Sequence, residues 1–230
     1  MKKLLALVLS LSLVLAFTGC GKANDVNAKS EGVMTYAEYD AAALDSEVTI
    51  EAYVQAHQSW WDNKITVYAA DGDGAYFLYE MACSEEDAAK LVPGTKIKVN
   101  GYKSEWSGEV EIVDATFEIE EGNYVAKPVD VTKSLGTDEL VKFQNQLVSF
   151  TDMTVESVSY KNDEPGDDIY VSFTKDGASY GFCLEYYLNG SDEAFYNLVG
   201  GLTAGQVVDL EGFLYWYEGP NTHLTKVTVK

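Results

Sequence analysis

The strongest constraint on this chain is an internal repeat. Residues 91–119, LVPGTKIKVNGYKSEWSGEVEIVDATFEI, match residues 202–229, LTAGQVVDLEGFLYWYEGPNTHLTKVTV, with no gap between the shared positions. Leu91, Gly94, Gly101 and Gly108 fall on Leu202, Gly205, Gly212 and Gly219, while Tyr102 falls on Phe213 and Trp106 on Tyr217. Each copy reads as a β-hairpin. Glycines shared at one spacing mark backbone needs: a turn, a bulge or a close approach. The chain is therefore expected to carry one module twice. Its 47% hydrophobic content lets each half bury a core.

The pattern upstream of each hairpin completes the module. Thr35 and Glu38 have capping-box spacing for a short lead-in helix. In residues 47–56, Val48, Ile50, Ala52 and Val54 alternate, which predicts a half-buried strand. A loop over 57–63 precedes a second strand, 64–70. Asp71-Gly72-Asp73-Gly74 supplies a tight turn into a third strand, 75–81, and Ser84 caps a short acidic helix. The second half repeats this order. A lead-in helix is expected over 137–144, strands over 146–157, 169–174 and 179–187, a first loop over 159–167, and a helix from the cap Ser191 to about Val199. Strand, loop, strand, turn, strand, helix, strand, loop, strand is the order of an OB-fold. The expected fold is all-β: two tandem five-stranded OB-fold Greek-key barrels, each with a lead-in helix and a short helix between strands three and four. The expected bounds are 34–120 and 134–230, with 121–133 as linker.

The N-terminus reads as an address. Lys2-Lys3, an apolar run over 4–17 and the small residues before Cys20 suit a lipoprotein signal peptide, 1–19, with Cys20 as the lipidated residue. Residues 20–33 are small and polar, as in a flexible tether. The expected location is a bacterial cell membrane, lipid-anchored on its extracytoplasmic face. Cys83 and Cys183 fall at different module positions and are expected as two separate packed thiols.

Charge bears on partners. The net charge is −21 and there is no arginine. Phosphate backbones are held by Lys and Arg, so nucleic acid ranks below other partners. Lys96, Lys98 and Lys103 form a modest cluster, expected to be a solvated strand face.

The stretch Val67-Tyr68, Asp71-Gly72-Asp73-Gly74-Ala75-Tyr76 and residues 91–101 (LVPGTKIKVNG) resembles bacterial OB-fold domains of the nucleic-acid-binding, tRNA-anticodon-like kind, which occur in exported nucleases and lipoproteins. The resemblance implies the OB-fold over residues 34–230 and, as a ligand class, nucleic acid.

OB-folds bind on the strand two–three face and with the loops joining strands one to two and four to five. Aromatics fall at those loops: Trp60, Trp61 and Tyr160 in the first, Trp106, Trp216 and Tyr217 in the second. Flat rings suit sugars, bases or apolar protein surfaces. The alternative role for these rings is to cap the barrel ends as core. The acids Asp71, Asp73, Asp163, Glu164, Asp167 and Asp168 lack a calcium-loop spacing and are expected to be solvated, so no metal and no cofactor is expected. The two histidines, His57 and His223, join no catalytic motif, and no enzyme is expected. The leading expectation is a non-catalytic cell-surface lipoprotein that binds an oligosaccharide or envelope protein through these aromatics. The alternatives are an OB-fold nucleic-acid-binding protein and a structural spacer in an envelope complex.

Overall fold

A computed structural model describes residues 25–230. The signal peptide expected over 1–19 and Cys20 lie outside the described residues. The first half holds α1 (Tyr36–Ala41), β1 (Glu47–His57), β2 (Lys64–Ala70), β3 (Ala75–Ala82), α2 (Glu85–Ala88), β4 (Thr95–Trp106) and β5 (Glu109–Asn123). β6 (Val129–Asp130) and two 3-10 turns, Thr132–Ser134 and Leu140–Phe143, lead into the second half. That half holds β7 (Leu147–Tyr160), β8 (Ile169–Lys175), β9 (Ala178–Leu184), α3 (Tyr186–Asn189), α4 (Glu193–Gly200), β10 (Val207–Phe213) and β11 (Thr222–Val229).

The chain is all-β with two tandem OB-fold-like domains. The first closes as a barrel in the order β1-β2-β3-β5-β4. The second is a six-stranded sheet in the order β10-β11-β9-β8-β7-β6, with β10 also paired to β7. Each domain has the same parallel pairing, β3 with β5 and β9 with β11. The two cores are separate. Val48, Ile50, Ala52, Val54, Ile97 and Val99 fill the first, and Val148, Phe150, Val171, Phe173, Leu210 and Leu224 the second.

The repeated glycines have a structural cause. At Gly101 and Gly212 the hairpin partner comes too close for a side chain. A Cβ would lie 2.7 Å from Ile112 Cγ2 at Gly101 and 2.5 Å from the His223 carbonyl oxygen at Gly212. Both sit at register shifts of the hairpin, as expected for bulges.

Local signals succeeded where the cap residue has no competitor. Thr35 and Glu38 form the capping box of α1, and Ser84 caps α2 by accepting the Asp87 amide. They failed where a neighbour caps better. Asp192, not Ser191, caps α4 by accepting from Phe195. β9 ends at Leu184 rather than at Tyr187, because the Glu185 carboxylate accepts the Tyr187 and Leu188 amides and starts α3. The lead-in expected as a helix over 137–144 is a single 3-10 turn.

Three surface expectations are also corrected. β1 is covered on both faces, since Glu51 and Tyr53 are buried along with the core side. Residues 25–33, expected as tether, lie against the first domain. Lys29 Nζ pairs with Asp71 Oδ2 at 2.6 Å and donates to the Glu51 carbonyl, and Asn27 bonds Gly72 and Asp73. The Lys96–Lys98–Lys103 strand is no solvated basic face. Lys96 pairs with Glu51 and Glu120, and buried Lys103 donates to the carbonyls of Tyr39, Asp40 and Ala42 at the end of α1. Cys83 and Cys183 are free and buried.

Gly212→Ala is expected to cost about 1–3 kcal/mol, because a methyl group there must displace backbone rather than a side-chain tip. Urea unfolding would measure the loss. Gly177→Ala, at a turn with open space around its Cβ, would show only the smaller cost of a positive φ of 83°.

Candidate functional site

The outward face of β2 and β3 in the first domain is the face on which OB-folds take ligands. Alternation puts Thr66, Tyr68, Phe77 and Tyr79 on it, opposite the core residues Ile65, Val67 and Leu78. Part of this face is already covered, by the second domain. Tyr68 stacks on Phe213 with ring centroids 4.3 Å apart and planes 7° apart. Its hydroxyl shares a 2.8 Å hydrogen bond with His223 Nδ1. Tyr215 stacks on His223 and meets Phe77 edge-on. Leu147, Leu188 and Ala56 pack around this cluster.

The two hairpin tips also meet. Glu218 N donates to the Ser107 carbonyl, and Trp216 N donates to Glu109 Oε2 at 2.8 Å. Gly108, with φ of 90°, leaves room for the Trp216 ring, which a Cβ would approach to 2.7 Å. Trp106 and Tyr217 lie 5.2 Å apart, centroid to centroid, beside this contact. The matched aromatics of the repeat thus touch each other across the domain junction instead of facing two independent ligands.

What stays open is a cleft of about 350 Å³ at the edge of the junction. Trp61, Tyr79 and Tyr187 line it, and these rings are 71%, 44% and 60% exposed. Ile65 and Thr66 lie at its base, with Lys64 and Glu80 paired at 2.6 Å along one side. The cleft belongs to both domains. Ser59 in the first loop donates its amide and its hydroxyl to the Tyr187 carbonyl. A bulge aims Tyr79. Two residues of β3 face one of β2 between the pairs Ile65–Met81 and Val67–Leu78, with Glu80 at φ of 45°.

The sequence-predicted site residues therefore separate. Trp61 enters the cleft. Trp60 turns inward, donating Nε1–H to the Cys83 carbonyl. Trp106, Trp216 and Tyr217 gather at the joined tips. Tyr160 packs beside Tyr196 and Gly200 of the second domain, with neither group. Tyr79 and Tyr187 were missed. Alternation from Phe77 would have found Tyr79, whereas Tyr187 was hidden by the strand drawn through it.

The junction holds unusual carboxyls. Burial pushes Glu109 up to about 8, against the lowering effect of its hydrogen bonds from Trp216 and Gln144. Burial likewise raises Glu111 and Glu185 to about 7. Burial lowers His223 to about 3, so its ring is neutral against Tyr68. Burial also raises the Cys83 thiol to about 11 and pushes Cys183 higher still, so neither is a ready nucleophile. Among the described residues, no three His, Cys, Asp or Glu side chains are grouped to hold a metal ion. Asp71 is occupied by Lys29, Tyr76 and the amides of its own turn. Among the described residues, the arrangement offers exposed ring surfaces for binding.

No protein-family model matches the chain, and no curated protein matches it. Solved structures do align. One described as the Ifi202 HINa domain in complex with 20bp dsDNA is 13% identical, covering 80% of this chain and 98% of that one, with a TM-score of 0.36. A murine DNA binding protein bound with ds DNA is 10% identical, covering 79% and 94%, with a TM-score of 0.37. A replication protein A heterotrimer bound to ssDNA is 13% identical, covering 83% and 51%, with a TM-score of 0.32.

These findings correct the reading drawn from the sequence. The family resemblance to bacterial OB-fold lipoproteins has no match behind it, and the aligned structures are described instead as HIN and other DNA-binding proteins. The cell-surface lipoprotein, its oligosaccharide or envelope-protein partner and its extracytoplasmic membrane location are set aside with that resemblance. So is the ranking of nucleic acid below other partners. There is a physical reason as well: of the tip aromatics on which the sugar reading leaned, Trp216 is packed into the domain junction. At TM-scores below 0.4 the alignments identify no ligand for this chain.

The raised glutamates make the junction sensitive to pH. A carboxyl whose folded pKa is raised contributes stability that is complete below its unfolded pKa and is lost as pH rises through its folded pKa. For Glu109, Glu111 and Glu185 that window runs from the ordinary carboxylate range up to about 7–8. His223 acts oppositely, losing its contribution as pH falls below the ordinary histidine value. Thermal unfolding should therefore show a Tm that falls between pH 6.5 and pH 8. Glu109→Gln, which keeps the shape and loses the charge, should flatten that fall and stabilise the protein at pH 8 by on the order of 2 kcal/mol.

Proposed function

We propose that this is a non-catalytic OB-fold binding protein whose ligand is single-stranded nucleic acid, taken by base stacking in the Trp61–Tyr79–Tyr187 cleft. The observation that carries the reading is the trio of exposed rings around one cleft on the ligand face of the first domain. Bases of every kind offer a flat face, and stacking on aromatic side chains contributes about 1–3 kcal/mol per base. Within this reading the folded modules are 34–120 and 134–230, joined by 121–133. The β10–β7 pairing then closes the second sheet into a five-stranded barrel with β6 outside it. Trp106 and Tyr217 at the joined tips extend the stacking surface, Trp60 and Trp216 support it from within, and Tyr160 lies outside it.

Charge sets the form of the binding. A duplex needs a track of cations along its phosphates. Here Lys64, Lys90, Lys96, Lys142, Lys161, Lys226 and Lys230 are paired with carboxylates. A net charge of −21 repels a polyanion at long range. Stacking of unpaired bases, with few phosphate contacts, is the mode such a surface supports. Salt then screens repulsion instead of displacing favourable contacts.

Titration of tryptophan fluorescence with a short oligothymidylate checks this. Quenching is expected, with an affinity that stays level or rises as salt is added. Trp61→Ala should weaken binding about tenfold, in keeping with the loss of one stacked base. Absence of binding at both low and moderate salt, or full binding by Trp61→Ala, would overturn the reading.

A further inference from the structure

A second cavity, of about 430 Å³, lies on another side of the domain junction and belongs to none of the surfaces above. Tyr36, Tyr39 and Asp40 of α1 line it from the first domain, and Lys142, Gln144 and Asn145 from the second. Three side-chain atoms here are buried with no hydrogen-bond partner in the protein: Tyr39 Oη, Glu109 Oε1 and Asn145 Oδ1. Their residues are 3%, 0% and 4% exposed. They form one neighbourhood. Asn145 Nδ2 donates to the carbonyl of Val110, next to Glu109, Gln144 Nε2 donates to Glu109 Oε2 and the Gly108 carbonyl, and Glu109 acts electrostatically on Tyr39.

A buried polar atom without a partner costs on the order of 1–3 kcal/mol. Three in one place, beside a cavity, point to a ligand. All three are oxygens. Asn145 Oδ1 can only accept, an ionised Glu109 Oε1 can only accept, and Tyr39 Oη does either. The walls add aromatic faces, with Tyr36, Tyr39 and Tyr76 packed together at centroid distances of 4.9–6.2 Å. Asp40 adds a carboxylate to the lining. Acceptors gathered beside tyrosine faces suit an ammonium group, which donates in several directions and is drawn to ring faces. Lys103 Nζ lies 5.1 Å from the Tyr39 ring centroid, yet neither it nor Lys142 reaches the three orphaned oxygens. Lys103 Nζ is occupied by three carbonyls of the α1 end, and Lys142 pairs with Glu139.

We propose that this junction cavity binds a small organic ammonium ion, its N–H groups donating to Asn145 Oδ1 and Tyr39 Oη, which line the cavity, with the Glu109 carboxylate buried beside them as counter-charge. Such a ligand bridges the two domains through residues of both and neutralises the Glu109 carboxylate. The groups facing Glu109 are Glu111, Tyr39, Tyr68 and Tyr215, with the Gln144 side chain and the Trp216 backbone amide donating to it. Glu111 is itself raised to about 7 by burial, and Tyr39 is raised by burial beyond ordinary titration. Binding therefore takes a proton from Glu109, which burial holds at about 8.

The test is calorimetric titration of the folded protein with ethylammonium chloride, with sodium chloride at equal ionic strength as the comparison. Saturable binding is expected for ethylammonium alone, strengthening as pH rises towards 8 and releasing a proton to the buffer. Glu109→Gln should weaken it at least tenfold, and Tyr39→Phe severalfold. Asn145→Asp, which adds a charge beside the ammonium, should tighten it. Opposite effects from two conservative changes at one site cannot come from general loss of structure. Equal response to sodium, no binding of ethylammonium, or an unchanged affinity in Glu109→Gln would each overturn the proposal.

Discussion

The stack of Tyr68 on Phe213, closed by the hydrogen bond from Tyr68 to His223, is the contact on which the arrangement of the two domains depends. Aromatic pairs contribute beyond their area, and buried phenols and imidazoles need partners. Here each polar group answers the other in a place sealed from water. The result is a tandem protein whose halves are not beads on a string. The outward β2–β3 face of the first domain becomes half interface and half binding surface. The boundary between the two falls between Phe77, which meets Tyr215, and Tyr79, which stays open.

Placing a polar hairpin tip into that junction has an electrostatic consequence. Glu109, Glu111 and Glu185 cannot keep full hydration there, so their protons are held into the neutral range. The same exclusion of water leaves Tyr39, Glu109 and Asn145 with unanswered oxygens at the α1 side. An otherwise acidic surface is thus interrupted by a nearly neutral, partly unsatisfied seam. The charge outside comes from the excess of carboxylates over lysines in the sequence, and the withheld charge inside comes from burial.

Much of the module was legible because its signals are local. Capping at Thr35 and Ser84, the alternation of Val48, Ile50, Ala52 and Val54, and the turn at Asp71-Gly72 each need only a few adjacent residues. The errors share the opposite property. Tyr187 was drawn into a strand because Glu185 as a cap outweighs β propensity only when the chain turns there. Lys96 and Lys103 looked solvated because Glu51, Glu120 and the end of α1 are distant in sequence. Gapless alignment set Trp106 and Tyr217 as equivalents, and the fold set them side by side with their ring planes tilted by 33°.

The sequence by itself determined the repeat, the all-β tandem modules and the acidity, since glycine spacing, period-two alternation and composition are properties of the chain alone. Which aromatics bind and which hold was decided by tertiary structure. Trp60 and Trp61 are adjacent and chemically identical, yet one donates to the Cys83 carbonyl and the other stands exposed at the cleft. Docking of the second domain chose between Phe77 and Tyr79 in the same way. Burial is a property of what lies opposite a side chain, and what lies opposite Tyr68 is a phenylalanine 145 positions further on.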